Sequence, residues 1–386
     1  MKVGIVGLGY RLAYLARVFS SEHADFTVVG YVDPDPAGLP YARQHGVQVG
    51  KNYASLEEML DAEQLDLLMV GSPNHMHLGH IRTGLERGLK VFTEKPVVVT
   101  LEETMEIASL ISRYGSDNLM VGLVLRYAPL YKDLRKAQAD GMLGDISSIE
   151  ASEHLPPYHG AFFMRDWRRY ERYSGSFMLE KCCHDLDLYT GVIGCRPKSV
   201  ASFGGRKTFI PEHAPEARGI NDLEVYHRKP SGWEATEKVY DSDADIIDFQ
   251  TAMVEYENGS VLQFHTNLSV PDDFRRFAVF GHKGQAEGDF VRNFLKVTDN
   301  HTSERLIDKT YTVSDLSAHY GADEQMARDI CQHLYDGAPL PVSVLDALEA
   351  GLLALSMDEA RRTHSVIDMT PTWQRYDAAL AGRAAG

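Results

Sequence analysis

Lys2-Val3-Gly4-Ile5-Val6-Gly7-Leu8-Gly9-Tyr10-Arg11-Leu12-Ala13 is the stretch on which the fold turns. Val3–Val6 reads as a β-strand, and the glycines after it open a helical pattern over residues 11–21. Strand, Gly-x-Gly turn and helix form the first unit of a nucleotide-binding α/β sheet. The first glycine permits the tight turn, the second lets backbone approach a pyrophosphate, and the helix N-terminus meets its charge. Gly7, Leu8, Gly9, Tyr10 and Arg11 are therefore candidate cofactor contacts. Leu12 stands where the pattern would have its third glycine, with the small Ala13 beside it.

Asp33 closes the second predicted strand, 26–32, and lies 24 positions after Gly9. A carboxylate there accepts hydrogen bonds from an adenosine ribose and repels a 2′-phosphate, which favours NAD over NADP. The alternative is a turn-forming role within Asp33-Pro34-Asp35-Pro36. The strand–helix rhythm continues, with strands over 67–71, 91–93 and 119–123 and helices over 76–87 and 100–114. Ser55-Leu56-Glu57-Glu58 and Thr100-Leu101-Glu102-Glu103 read as capping boxes. This pattern predicts a parallel α/β domain over 1–125.

Beyond residue 126 the rhythm changes. A helix over 129–140 leads to a strand at 146–153, an irregular aromatic- and Arg-rich stretch, and a helix over 176–193. Longer β segments follow at 199–204, 246–256, 260–266 and 274–280, with a hairpin turn at Asn258-Gly259. Helices over 323–335 and 344–363 close an α+β domain, 126–386, with a mainly antiparallel sheet.

The 386 residues carry a formal net charge of -16, which argues against nucleic acid or an anionic membrane as the main partner. No run approaches the roughly 20 apolar residues of a membrane span, and no charged leader or cleavage site precedes Val3. The cysteines Cys182, Cys183, Cys195 and Cys331 have neither framework nor zinc-ligand spacing, so reduced thiols, a cytoplasmic setting and no metal are expected.

Three further stretches carry a family resemblance: Gly71-Ser72-Pro73-Asn74-His75-Met76-His77, Thr93-Glu94-Lys95-Pro96, and Glu180-Lys181-Cys182-Cys183-His184-Asp185-Leu186-Asp187. In content, order and spacing the chain resembles the glucose–fructose oxidoreductase/inositol dehydrogenase/MocA family over nearly its whole length. The resemblance implies a Rossmann domain, then an α/β domain whose open sheet forms a homo-oligomer, a dimer or tetramer. It implies NAD-dependent hydride transfer on a sugar, polyol or glycoside. Lys95 then matches the family lysine near the nicotinamide, and His184 its catalytic histidine. Glu180 occupies the position where several members carry Asp. Ser72, Pro73, Asn74, His77 and Glu94 fall in cofactor-facing segments, and Arg126, Tyr127 and His319 in segments that approach a substrate.

The residues support this on their own terms. Positions 180, 184 and 187 fall on one face of a helix, so a histidine with acidic neighbours is set up for proton transfer near neutral pH. Lys95 is an alternative proton acceptor, or it polarises the same oxygen. Asp187 reads as an orienting partner, and Lys181 as a pocket residue. In Arg165-Asp166-Trp167-Arg168-Arg169, Trp167 offers a stacking face and Arg165 or Arg168 a grip on hydroxyls or an acidic substituent; the alternative is an ion-paired surface loop. Two other activities share the same residues. One is a glycosidase that uses NAD for transient oxidation and elimination, and the other a redox-silent NAD-binding regulator.

Overall fold

The computed structural model describes residues 1–215, 233–312 and 319–382. β1 (Lys2–Val6), β2 (Thr27–Val32), β3 (Lys51–Asn52), β4 (Leu67–Val70), β5 (Lys90–Thr93) and β6 (Leu119–Val121) form one sheet in the order β3-β2-β1-β4-β5-β6. Every pair is parallel. All of β4 and all of β1 except Lys2 are buried, as befits strands covered on both faces. The strand order reverses between β1 and β4. The crevice beyond their carboxyl ends is where such sheets take ligands.

α1 (Tyr10–Glu22), α2 (Leu39–Gln44), α3 (Leu56–Ala62), α4 (His77–Glu86) and α5 (Leu101–Tyr114) connect these strands. The capping box at Thr100 is complete. At Ser55 only half forms: its side chain accepts Glu58 N–H, but Glu58 reaches back to Ala54 N–H. α2 and β3 were not foreseen, because six and two residues are too few to show a period. Leu12 is explained by its neighbour. A Cβ on Gly71 would lie 2.5 Å from Leu12 Cγ, so the close helix–sheet approach comes from a glycine after β4 instead of one in α1.

The second sheet has nine strands: β7 (Ile146–His154), β8 (Pro197–Gly205), β9 (Phe249–Tyr256), β10 (Val261–Asn267), β11 (Phe274–Gly281), β12 (Gly284–Asp289), β13 (Phe294–Asp299), β14 (Arg305–Thr310) and β15 (Ile367–Asp368). Their order is β14-β13-β12-β11-β7-β10-β9-β8-β15, antiparallel apart from the β7–β10 pair. The fold is thus a Rossmann domain with a mainly antiparallel open sheet after it. Asn258-Gly259 forms the β9–β10 hairpin, with Gly259 at φ +84°. One sheet face packs α6 (Pro129–Ala139) and α9 (Cys183–Ile193) against β13 and β7.

Several expectations change here. The stretch read as irregular contains α7 (Pro157–Arg165), a 3-10 turn at Trp167–Arg169 and α8 (Glu171–Ser174). Pro157 in the first turn and the Asp166 side chain accepting Arg168 N–H start these turns, while clustered aromatics hide their period. The helix expected over 176–193 begins with a π turn, Met178–Cys182. β12–β15 and the helix Thr370–Leu380 were unassigned.

The chain clusters into two compact units, one of Met1–Tyr127 with the described parts of 316–351 and 372–386, the other of the described parts of 128–315 with Leu352–Pro371. The expected boundary after residue 125 lies beside the first division between these units. From the expected second domain, the helix Ala322–Asp336 packs on α1, and Tyr14 donates to Glu324 at 3.3 Å. Among the described residues no helix is long and apolar enough to cross a membrane, and no cluster of three His, Cys, Asp or Glu side chains could hold a metal. All four cysteines are free thiols.

Candidate functional site

In the first unit the glycine loop is shaped by its contacts. Gly7 has φ +83°, and a Cβ there would lie 2.4 Å from Ser72 N. No other residue fits, on both counts. Gly9 caps α1 without a side chain, and a Cβ on it would meet nothing within 4 Å. The first turn of α1 carries no acidic residue, so its backbone N–H groups face an open approach. Asp33 stands at the tip of β2. Its Oδ1 accepts Asp35 N–H at 2.8 Å, so the turn role is real. Burial raises its pKa, while hydrogen bonds from the Asp35 and Leu8 backbones pull it down. The carboxylate thus ties the turn to the glycine loop. An open helix N-terminus for a diphosphate and a carboxylate at the strand tip fit NAD.

Leu8 is buried, and Tyr10 is 64% exposed beside the loop. Tyr10 packs edge-on against Tyr41 at 5.0 Å. Arg11 points elsewhere. Its guanidinium bridges Glu94 and Asp323, each at 2.8 Å. Glu94 also accepts Lys95 N–H at 3.2 Å. Burial disfavours the Arg11 charge, but the two carboxylates outweigh it and raise the pKa. Asp323 is held well below the usual carboxylate range: burial opposes this, and Arg11 and His319 overcome it. His319, whose Nδ1 lies 2.9 Å from Asp323, belongs to the same network. Arg126 pairs with Asp346 at 3.2 Å, and Tyr127 is buried.

The loop after β4 and the segment after β5 are tied together. Ser72 Oγ lies 3.0 Å from His80 Nδ1, and Asn74 is buried. His77 is 1% exposed; its Nδ1 lies 2.9 Å from the Pro96 carbonyl oxygen and its Nε2 2.8 Å from that of Ser72. Read as a cofactor contact, His77 instead gives both ring nitrogens to the backbone. The Lys95-Pro96 bond is cis.

In the second unit the π turn and α9 carry Glu180, Lys181, His184, Asp185 and Asp187, all buried except the half-buried Lys181. Glu180 Oε1 accepts from Arg168 Nε at 2.8 Å, and Arg168 also holds Asp166 at 2.9 Å. Burial works against the Arg168 charge, while Asp166 and Glu180 raise its pKa overall. Arg168 covers one face of Trp167 at 4.2 Å. Arg165 pairs with Glu237 at 3.2 Å and Arg169 with Asp243 at 2.7 Å. The run is thus an ion-paired structure built into the unit, and Arg165, expected to grip substrate, is occupied by Glu237.

Beneath α9 lies a network that sequence reasoning missed. Arg275 grips Asp185 through Nε and Nη2 at 2.8 and 2.9 Å and also reaches Glu153, which in turn pairs with Lys181 at 3.3 Å. Lys181, read as a pocket residue, is therefore anchored to the sheet. Burial pushes the Asp185 carboxyl up, against the pull of Arg275. The available signal was strand alternation: Arg275 shares its face with Phe277 and Val279, so its side chain points inward.

The profile of an oxidoreductase family with an NAD-binding Rossmann fold, GFO/IDH/MocA, matches residues 1–123, and the GFO/IDH/MocA C-terminal domain matches 131–287. The chain belongs to this family. It is 23% identical over 284 residues to inositol 2-dehydrogenase of Corynebacterium glutamicum, covering 70% of this chain and 80% of that protein. It is 25% identical over 202 residues to 2,7-anhydro-N-acetylneuraminate hydratase of Escherichia coli, covering 52% of each. Among solved structures, levoglucosan dehydrogenase in complex with NADH and L-sorbose superposes with a TM-score of 0.76 at 16% identity, over 97% of this chain and all of that one. The family is one of oxidoreductases with an NAD-binding Rossmann fold, and the superposition shows that the fold is shared along nearly the whole chain.

Proposed function

We propose that this protein oxidises a hydroxyl-bearing carbon of a neutral sugar, polyol or glycoside, with Lys95 and His184 handling the hydroxyl proton. The observation that carries the reading is the buried His184 on α9, which shares that helix with the buried Asp187 and follows the π turn of the buried Glu180, in a chain whose first unit has an open nucleotide loop. When bound, NAD supplies the two-electron acceptor. Gly7 and Gly9 hold the backbone open for its diphosphate, and Asp33 receives the adenosine ribose and disfavours a 2′-phosphate. His184 or Lys95 accepts the O–H proton as the C–H bond breaks, and Glu180 and Asp187 orient the imidazole. The arginines at 165, 168 and 169 are each matched by carboxylates, which supports a neutral substrate over an anionic one.

The test is NADH formation on a panel of aldoses, inositols and anhydrosugars. No NADH from any member would overturn the reading. Lys95→Ala and His184→Ala should each lower turnover about 10²–10⁴-fold with NAD binding retained. A second reading, NAD-assisted elimination, is supported by the relative named a hydratase. Leaving-group release without net NADH would mark that route.

The outer face of the large sheet supports self-association. Phe203 is 67% and Met253 57% exposed there, and a dimer or tetramer would cover them. Four free thiols favour a reducing compartment such as the cytoplasm.

A further inference from the structure

His77 opens α4, yet its ring lies inside the first unit. Both ring nitrogens sit at hydrogen-bond distance from carbonyl oxygens, Pro96 O at 2.9 Å and Ser72 O at 2.8 Å. A carbonyl oxygen only accepts. A neutral imidazole has a single N–H, so one of the two contacts would set a ring lone pair against an oxygen lone pair. An imidazolium has an N–H at each end and satisfies both with charge-assisted hydrogen bonds.

We infer that His77 is held as an imidazolium and serves as a positioning residue, a charged clasp between the loop after β4 and the Lys95-Pro96 segment after β5. The titratable neighbours leave this charge in place. His80, one turn along α4, has its pKa pushed down to about 4 by burial and then by the His77 charge, with Glu57 of α3 pulling the other way. His75 is lowered by burial, against the pull of Glu103 of α5. Glu94, two residues before Pro96, is engaged by Arg11. Ser72 and Pro96 are each held by carbonyl alone, so the clasp acts whatever their side chains do. It fixes the distance between Ser72-Pro73-Asn74 and Lys95, the two segments assigned to cofactor and proton transfer.

The protonation state stands apart from the proposed function, and only the positioning of Lys95 rests on that reading. Histidine rings of the intact protein, nitrogen-15-labelled and without NAD or substrate, can be followed by long-range proton–nitrogen spectra up to about pH 8.5. That is roughly two units above the ordinary imidazole value. One ring with both nitrogens protonated at the upper limit is expected, and that signal should be missing from His77→Gln. If every ring in the wild-type spectrum has one bare nitrogen there, the clasp is overturned, whether or not the variant folds. In folded His77→Gln, NAD binding read by fluorescence should weaken at least tenfold. Unchanged affinity overturns the positioning role. Wild-type protein that fails to bind NAD counts against the proposed function and leaves the protonation result standing.

Discussion

Gly7 and Gly9 look alike in the sequence and differ in what they demand. Gly7 is conformationally required, with φ +83° and backbone where a Cβ would stand. Gly7→Ala should therefore cost about 1–3 kcal/mol of stability as well as NAD binding. Gly9 has open space around it. Gly9→Ala should stay within about 0.5 kcal/mol of wild type in urea unfolding. Its methyl group would stand in the approach to the helix N-terminus, and NAD affinity should fall at least about tenfold. A Gly9→Ala protein with wild-type affinity would place the diphosphate elsewhere. Asp33 shows why one residue can satisfy two readings. Its carboxylate makes the Asp35 turn contact, and the same group, half-buried at the strand tip, is presented to a ribose.

At the scale of elements, ion pairs join helices to sheets. Arg275, 2% exposed on β11, holds Asp185 on α9 and Glu153 on β7. Arg275→Met takes the guanidinium from the buried Asp185 and leaves Glu153 with Lys181, and should cost about 3–5 kcal/mol, seen as a lower urea midpoint at an unchanged m-value. Arg11 joins α1 to the helix Ala322–Asp336 through Asp323. The Asp323 carboxyl is depressed below its unfolded value of about 3.9, with burial opposing and Arg11 and His319 lowering. Its stabilisation is complete above that value and is lost as pH falls toward the folded value. Wild-type protein should therefore lose stability more steeply than Asp323→Asn between about pH 5 and 3. Parallel slopes in chemical denaturation would show that the pair contributes nothing.

At the scale of the molecule, one face of the large sheet presents exposed apolar side chains. Side chains alternate along its strands, so Phe203 and Met253 emerge on that face while Val200, Ala252 and Val254 are buried on the other. If self-association uses this face, Phe203→Glu with Met253→Lys should convert the wild-type oligomer to a smaller species in sedimentation, with NAD binding intact. An unchanged sedimentation coefficient would exclude the face. The first unit also depends on the end of the chain, since the helix Ala322–Asp336 completes the packing around α1.

The sequence by itself determined the alternation of strands and helices in the Rossmann domain apart from α2 and β3, the glycine loop, the helix starts at Ser55 and Thr100 and the Asn258-Gly259 hairpin. Each is written in neighbouring residues whose local physics suffices: apolar periods, turn residues and caps. The long helix Val344–Thr363 was legible to the residue for the same reason. What only the tertiary structure decided is which charges meet. Arg11 and Asp323 stand 312 positions apart and Arg275 and Asp185 90 apart, while His77 meets carbonyls 5 and 19 positions away across a turn. Burial, not propensity, makes such pairs obligatory, because a charged or polar group taken out of water must find its partner wherever the fold brings one.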